Sequence, residues 1–135
     1  MSSPTPAPAP SVEVRVQPER KIIRVHFRRR VSAADVRREV DTYESLLQQL
    51  GPGFILVTDL SELEEMELES FRDVTRIMDL SLAHGVKQVV RVIPDPDKDI
   101  GFHLLSLTHY RGRVRVTVCA TAAEAEELLA ATAVD

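Results

Sequence analysis

The chain has 135 residues and a hydrophobic fraction of 44%, which are the size and composition of one globular domain. Its formal net charge of −4 gives no overall attraction to nucleic acid or to an anionic membrane surface. The charge therefore predicts no nucleic-acid binding. No apolar stretch approaches the roughly 18 residues of a transmembrane helix, so we also expect no membrane insertion.

The N-terminal segment differs in composition from the rest of the chain. Residues 1–10 hold four prolines and no charged side chain, which predicts a disordered tail before a domain spanning residues 11–132. The tail has neither the basic start nor the apolar run of a signal peptide. Cys119 is the single cysteine, so no internal disulfide can form and we expect a cytoplasmic protein.

Two alternating segments predict the first two strands. Residues 12–17 alternate valine with polar side chains, and residues 23–28 repeat an apolar–polar alternation, as half-buried strands do. Only a short turn separates them, which favours an antiparallel hairpin.

A helix and a buried strand are predicted next. Ser32 and Asp35 have the spacing of a capping box, and the apolar residues that follow lie on one helical face as far as the glycine at position 51. Residues 54–57 are uninterruptedly apolar, which is typical of a strand buried on both faces, and this strand closes at Asp59.

The second half of the chain continues the alternation of helices and strands. A helix is predicted from about residue 68 to 84, a strand at 89–93, a short helix at 100–108 and an alternating edge strand at 113–118. Thr121 then caps a last, alanine-rich helix.

The predicted order is ββαβαβαβα, which indicates an α/β fold in a single domain. We expect a mostly parallel five-stranded sheet with an antiparallel first strand and four helices. The alternating strands are expected at the sheet edges and the fully apolar strands at its centre.

Sequence signatures of catalysis are absent. The chain has no glycine-rich phosphate-binding loop and no Gly-x-Ser-x-Gly motif. Its four histidines are dispersed, and one cysteine cannot complete a zinc site. We therefore predict a non-enzymatic protein without metal or cofactor; the alternative pairs Asp59 with a histidine of the third predicted helix as an acid and base.

Charge is distributed unevenly along the chain. Residues 1–50 carry nine Lys/Arg and six Asp/Glu, whereas residues 51–135 carry eight and fifteen. Residues 62–69 include five acids just after the central strand, and residues 28–30 with Arg37 and Arg38 form the basic counterpart. This pattern predicts two faces of opposite sign, which are either simply solvated or dock a charged protein or a second copy of the chain.

The element order, with a central strand ending in Asp59-Leu60-Ser61, resembles the STAS domain, the family of anti-sigma-factor antagonists and SpoIIAA-like proteins of bacteria. The resemblance extends over residues 12–130 and implies a regulatory module that binds another protein. In typical members the strand leads to an Asp-Ser-Ser/Thr-Gly motif at a helix start, where a partner kinase phosphorylates the second hydroxyl residue.

Counted on from Asp59, the four motif positions fall on residues 64–67 of this sequence, where no hydroxyl side chain and no glycine occur. The resemblance implies a docking surface at the strand end and the acidic helix start. The candidate partner-binding residues are Asp59, Ser61, Glu64, Glu65, Met66, Glu67 and Ser70.

A second hypothesis is a small-molecule or lipid-binding module, because SpoIIAA-like proteins resemble lipid-carrier folds. Such a module needs a concave apolar pocket between the helices and the sheet. The side chains that would line this pocket are Met66, Leu68, Phe71, Phe102 and Leu105.

Overall fold

The computed structural model of the protein describes residues 9–95, 110 and 112–133. Within these residues the chain forms five β-strands and three α-helices. The strands are β1 (Val12–Gln17), β2 (Ile22–Val31), β3 (Ile55–Met66), β4 (Gln88–Val92) and β5 (Arg115–Cys119). The helices are α1 (Ala33–Leu50), α2 (Ser70–Ala83) and α3 (Ala122–Ala133).

The strands form one sheet in the order β1-β2-β3-β4-β5. β1 is antiparallel to β2, and every later neighbour pair is parallel. The predicted α/β class, the five-stranded sheet and its antiparallel first strand are therefore confirmed. β1 and β5 lie at the edges as expected, whereas the alternating β2 is internal because β1 covers its outer side.

Helix α1 begins at the predicted capping box. The Ser32 hydroxyl accepts the Asp35 N–H at 3.2 Å, and the Asp35 carboxylate accepts the Ser32 N–H at 3.0 Å. That backbone hydrogen bond holds the pKa of Asp35 below its usual value. The buried side chains of α1 are Val36, Val40, Tyr43, Leu47 and Leu50.

Apolar side chains cover both faces of the sheet. α1 and α2 pack against one face, where side chains of β2, β3 and β4 complete the larger core. α3 packs against the other face through Ala125 and Leu129, which join the core of Ile22, Val57 and Val90. Cys119 is buried in this second core as an unpaired thiol, and burial raises its pKa.

β2 and β3 extend further than the sequence predicted. Their parallel pairing continues to Val31 and Met66, with two register shifts at which β3 has one residue more than β2. The expectation of a loop or helix start throughout residues 62–69 is therefore wrong for residues 62–66, which are strand. Their peptide groups are paired by β2, so α2 begins only at Ser70.

Two predicted segments lie outside the described residues. They are the proline-rich tail, of which only Ala9 and Pro10 are described, and the helix at residues 100–108. In the described part of the chain, no helix combines the length and apolar character needed to span a bilayer.

Gly85, after α2, tests how closely the turns pack. Its φ is +84°, and a Cβ there would lie 2.8 Å from the Pro52 Cβ, whereas Gly112 has a φ of +70° and a Cβ there would have no described atom within 4 Å. The left-handed backbone costs an alanine about 1–2 kcal/mol at either position. We expect Gly85→Ala to lower the free energy of unfolding in urea by more than Gly112→Ala, and equal losses would contradict close packing against Pro52.

Candidate functional site

The central strand shifts register at Asp59 and Ser61. His26 is aligned with Asp59 and Arg28 with Glu62, so β3 has an extra residue between these pairs. The Asp59 carboxylate accepts the Ser61 N–H at 2.8 Å, which gives that peptide group a partner beside the shift. Asp59 therefore has a structural role here, while the Ser61 side chain is exposed.

The acidic and basic runs of the sequence meet as cross-strand pairs. Arg28 contacts Glu62 at 2.8 Å and Glu13 at 2.7 Å, and its side chain is only 14% exposed. Arg30 contacts Glu65 at 3.6 Å in a far more exposed pair. The expectation of two faces of opposite sign is wrong for these residues, because neighbouring strands place the charges side by side.

His26 belongs to the same network, which sequence reasoning missed. Its Nε2 lies 2.8 Å from a Glu62 carboxylate oxygen, and its Nδ1 lies 3.8 Å from an Asp59 oxygen. The nearest Arg28 nitrogen is 3.2 Å from Nδ1. A parallel alignment of β2 with β3 would have predicted this contact, because it puts His26 beside Asp59. The histidine of the third predicted helix lies outside the described residues.

Two of the charged groups around His26, Arg28 and Glu62, contact each other at 2.8 Å, and the third, Asp59, accepts the Ser61 N–H. Within the described residues, no group of three His, Cys, Asp or Glu side chains is placed to hold a metal ion. This network therefore has the geometry of a charged cross-strand contact.

The β3–α2 corner, defined as residues 64–69, carries most of the predicted docking residues. Glu64, Glu67 and Glu69 are exposed, and none forms an ion pair with another described residue. Leu68 lies among them with 77% of its surface exposed, the highest value of any large described apolar residue. The corner thus presents an apolar side chain surrounded by carboxylates without a cationic partner among the described residues.

Hydrogen bonds fix the conformation of this corner. The Glu67 N–H donates to the Val31 carbonyl at 3.0 Å, which ties the corner to the end of β2. The Ser70 N–H donates to the Glu67 carbonyl at 3.0 Å, and the Phe71 N–H donates to the Leu68 carbonyl at 3.1 Å. Leu68 is therefore exposed on an ordered turn.

The remaining candidate residues differ in accessibility. Glu65 is exposed, Met66 is partly buried against the larger core, and Ser70 is fully buried with its hydroxyl donating to the Glu67 carbonyl at 2.5 Å. Because β3 continues to Met66 and α2 begins at Ser70, residues 64–66 belong to the strand and Glu67 precedes the helix by three residues.

A groove runs beside the corner at the starts of α1 and α2. It is lined by Arg37, Leu68, Glu69 and Arg72. Arg37 also contacts the buried Asp73 carboxylate at 3.5 Å. The groove therefore places the guanidinium groups of Arg37 and Arg72 beside Leu68 and Glu69.

The lipid-binding hypothesis needs an apolar pocket between the helices and the sheet, and two of its predicted lining residues, Phe102 and Leu105, lie outside the described residues. The cavity between α2 and the sheet has a volume of about 10 Å³, room for about one water, whereas ligand pockets measure roughly 300–1,000 Å³. Arg91 and Tyr110 line it, and burial lowers the pKa of Arg91 to about 10 and raises that of Tyr110 to about 12. Leu68, predicted to line such a pocket, is exposed instead.

Glu13 provides a test of the cross-strand network. Its hydrogen bond from Arg28, and next that from Arg15, lower its pKa below the ordinary value of 4.5. We expect the pKa of Glu13, followed by NMR titration, to rise in Arg28→Ala and to rise less in Arg15→Ala. An unchanged pKa in Arg28→Ala would contradict the contact.

The same contact sets a pH dependence of stability. The pKa of Glu13 is lower in the folded than in the unfolded chain. The contribution of Glu13 to the free energy of unfolding is therefore complete at a pH above its unfolded-state pKa, and it is lost as the pH falls through its folded-state pKa. The difference in unfolding free energy between the wild type and Glu13→Gln should therefore shrink as the pH is lowered below about 4.5.

Two solved structures are similar to this chain. The anti-sigma factor antagonist SpoIIAA in its unphosphorylated form superposes with a TM-score of 0.60 at 14% identity, over 88% of this chain and 97% of that one. An uncharacterised protein of the DUF3478 family, from Shewanella loihica PV-4, superposes with a TM-score of 0.62 at 16% identity, over 96% of this chain and 98% of that one. No family model and no curated protein matches the sequence. The second structure is described as having a SpoIIAA-like fold, and this chain has that fold too.

Proposed function

We propose that this protein is a non-enzymatic regulatory module that docks a basic protein partner through the β3–α2 corner. The observation that carries the proposal is Leu68, which is 77% exposed between Glu67 and Glu69 on an ordered turn. A single exposed leucine is common on protein surfaces, so the proposal depends on the combination of Leu68 with the exposed carboxylates around it on one hydrogen-bonded turn.

The chemistry of the corner defines the partner that it fits. Burying the Leu68 side chain contributes about 1.5–3 kcal/mol, which requires an apolar depression on the partner. The carboxylates of Glu64, Glu67 and Glu69 favour lysine or arginine around that depression and speed the encounter by electrostatic steering. The partner surface is therefore apolar at its centre and basic at its rim.

The order of the corner favours binding. The hydrogen bonds of Glu67 and Ser70 fix the turn before any partner arrives, so little backbone entropy is lost on docking. Ser70 itself is buried and supports the turn from behind, while Ser61 and Glu65 extend the accessible surface along β3.

The comparison with SpoIIAA supports a regulatory role. That protein is named as an anti-sigma factor antagonist, and its structure was solved in an unphosphorylated form. Residues 62–69 of this chain contain no Ser, Thr or Tyr, so this segment carries a permanent negative charge instead of an acceptor for phosphate. A carboxylate carries less charge than the −1.5 to −2, approximately, of a phosphate, but three of them act together here.

The docking surface is tested by matched charge reversals. After a partner is captured with the tagged chain from its native cells, the purified pair is titrated. We expect the triple variant Glu64→Lys, Glu67→Lys and Glu69→Lys to raise the dissociation constant at least tenfold. A separate Leu68→Ala variant should weaken binding by a similar factor, because the apolar anchor is lost.

The control makes the same change of net charge away from the corner. Glu19, Asp41 and Glu127 are exposed on other elements, and their replacement by lysine should leave the affinity within about twofold. If both triple variants weaken binding equally, the effect comes from net charge and not from the corner. If the corner variants bind with full affinity, the proposed surface is overturned.

A further inference from the structure

β1 is an edge strand, and no described strand pairs with its outer side. Among the described residues it pairs only with β2, and its register with β2 is continuous. No proline or bulge interrupts β1, although such features protect the exposed edges of many sheets.

The hydrogen-bond pattern shows which peptide groups face outward. The Arg28 N–H donates to the Ser11 carbonyl at 2.8 Å, so these residues form a hydrogen-bonded pair just before β1. Hydrogen-bonded and non-hydrogen-bonded pairs alternate along an antiparallel ladder. The N–H and C=O groups of Val12, Val14 and Val16 therefore point to the outer edge.

The side chains of β1 are self-complementary about Val14. Glu13 and Arg15 flank it with opposite charges, and Val12 and Val16 flank these in turn. When an antiparallel copy of β1 is aligned so that Val14 faces Val14, Glu13 lies opposite Arg15 of the partner subunit, twice over by symmetry.

We propose that β1 is a homodimer interface, at which two copies pair antiparallel about a two-fold axis at Val14 and join their sheets into one. Val14 forms a hydrogen-bonded pair with Val14 of the partner subunit, and Val12 with Val16 of the partner subunit. Glu13 and Arg15 of the partner subunit then form the non-hydrogen-bonded pairs, in which side chains approach most closely.

Charge selects this register over its neighbours. Sliding one strand by two residues preserves the outward hydrogen bonds but aligns Glu13 with Glu13 or Arg15 with Arg15 of the partner subunit. Like charges directly opposite each other destabilise a ladder, so only the register centred on Val14 combines hydrogen bonding with charge complementarity.

The exchange of ion pairs at this edge needs little rearrangement. Arg15 contacts Glu13 of its own strand at 2.6 Å, but its side chain is 73% exposed and has room to turn toward the partner. Glu13 keeps its 2.7 Å contact with Arg28 through its other carboxylate oxygen. Dimerisation therefore requires only Arg15 to change its partner, from Glu13 of its own strand to Glu13 of the partner subunit.

The opposite edge of the sheet lacks this complementarity. β5 carries Arg115 and no acidic residue, so an antiparallel copy of β5 places no opposite charges across the edge. The proposal is therefore specific to β1, and it is independent of the β3–α2 corner, so either surface can fail without the other.

The test is the solution mass of charge variants, measured by sedimentation equilibrium. The wild type should show twice the 15.1 kDa of one chain. Arg15→Glu and Glu13→Lys place like charges across the edge, and each should raise the dimer dissociation constant at least tenfold. An equimolar mixture of the two variants should form a heterodimer, because both acidic side chains of one strand then face the two basic side chains of the other.

Controls separate the interface from folding. Arg15→Lys keeps the charge and should remain dimeric, and Arg115→Glu makes the same reversal on β5 and should also remain dimeric. Circular dichroism checks that each variant is folded. A wild type that is monomeric at all concentrations, or single variants whose dimers are unaffected or not restored on mixing, would overturn the proposal.

Discussion

The parallel pairing of β2 with β3 beyond Asp59 is the interaction on which the geometry of this domain depends. The ladder continues to Val31 and Met66, and its register shifts place additional β3 residues beside the same length of β2. Because α1 follows β2 directly and α2 follows β3 after a single turn, the end of this ladder determines where both helices begin. Without it, residues 60–69 would form a long loop and Leu68 would have no defined position.

Electrostatics explains why a run of glutamates is stable as a strand here. Arg28 and Arg30 stand opposite Glu62 and Glu65, and opposite charges across strands contribute about 0.2–1 kcal/mol each. The mostly buried Arg28 contributes more than the exposed Arg30, whose pair is screened by solvent. Glu64, Glu67 and Glu69 have no ion-pair partner among the described residues and give the corner its negative charge. The same run of acids therefore both pairs β3 with β2 and leaves a negative patch beyond the end of the strands.

The features that could be predicted depend on residues that lie close together in the sequence. The Ser32–Asp35 capping box and the apolar run of β3 are local signals, and α1 and the start of β3 lie where they indicated. The end of β3 was missed because acidic residues have low strand propensity, and its stabilising partner Arg28 lies 34 residues before Glu62. The position of His26 depends on the same long-range alignment. A binding role for the corner depends on a partner that this sequence does not contain.

Pairing through β1 would bring two β3–α2 corners into one dimer. Two chains joined through β1 share one sheet, and each copy contributes its own corner with Leu68 and three exposed carboxylates. A partner with two basic sites, or a dimeric partner, would then bind both corners at once. Once the first site is occupied, the second contact becomes intramolecular, and overall affinity can rise by about 10²–10⁴ without any new contact. On such a scaffold, two weakly binding corners would together hold one bivalent partner more tightly than either corner alone.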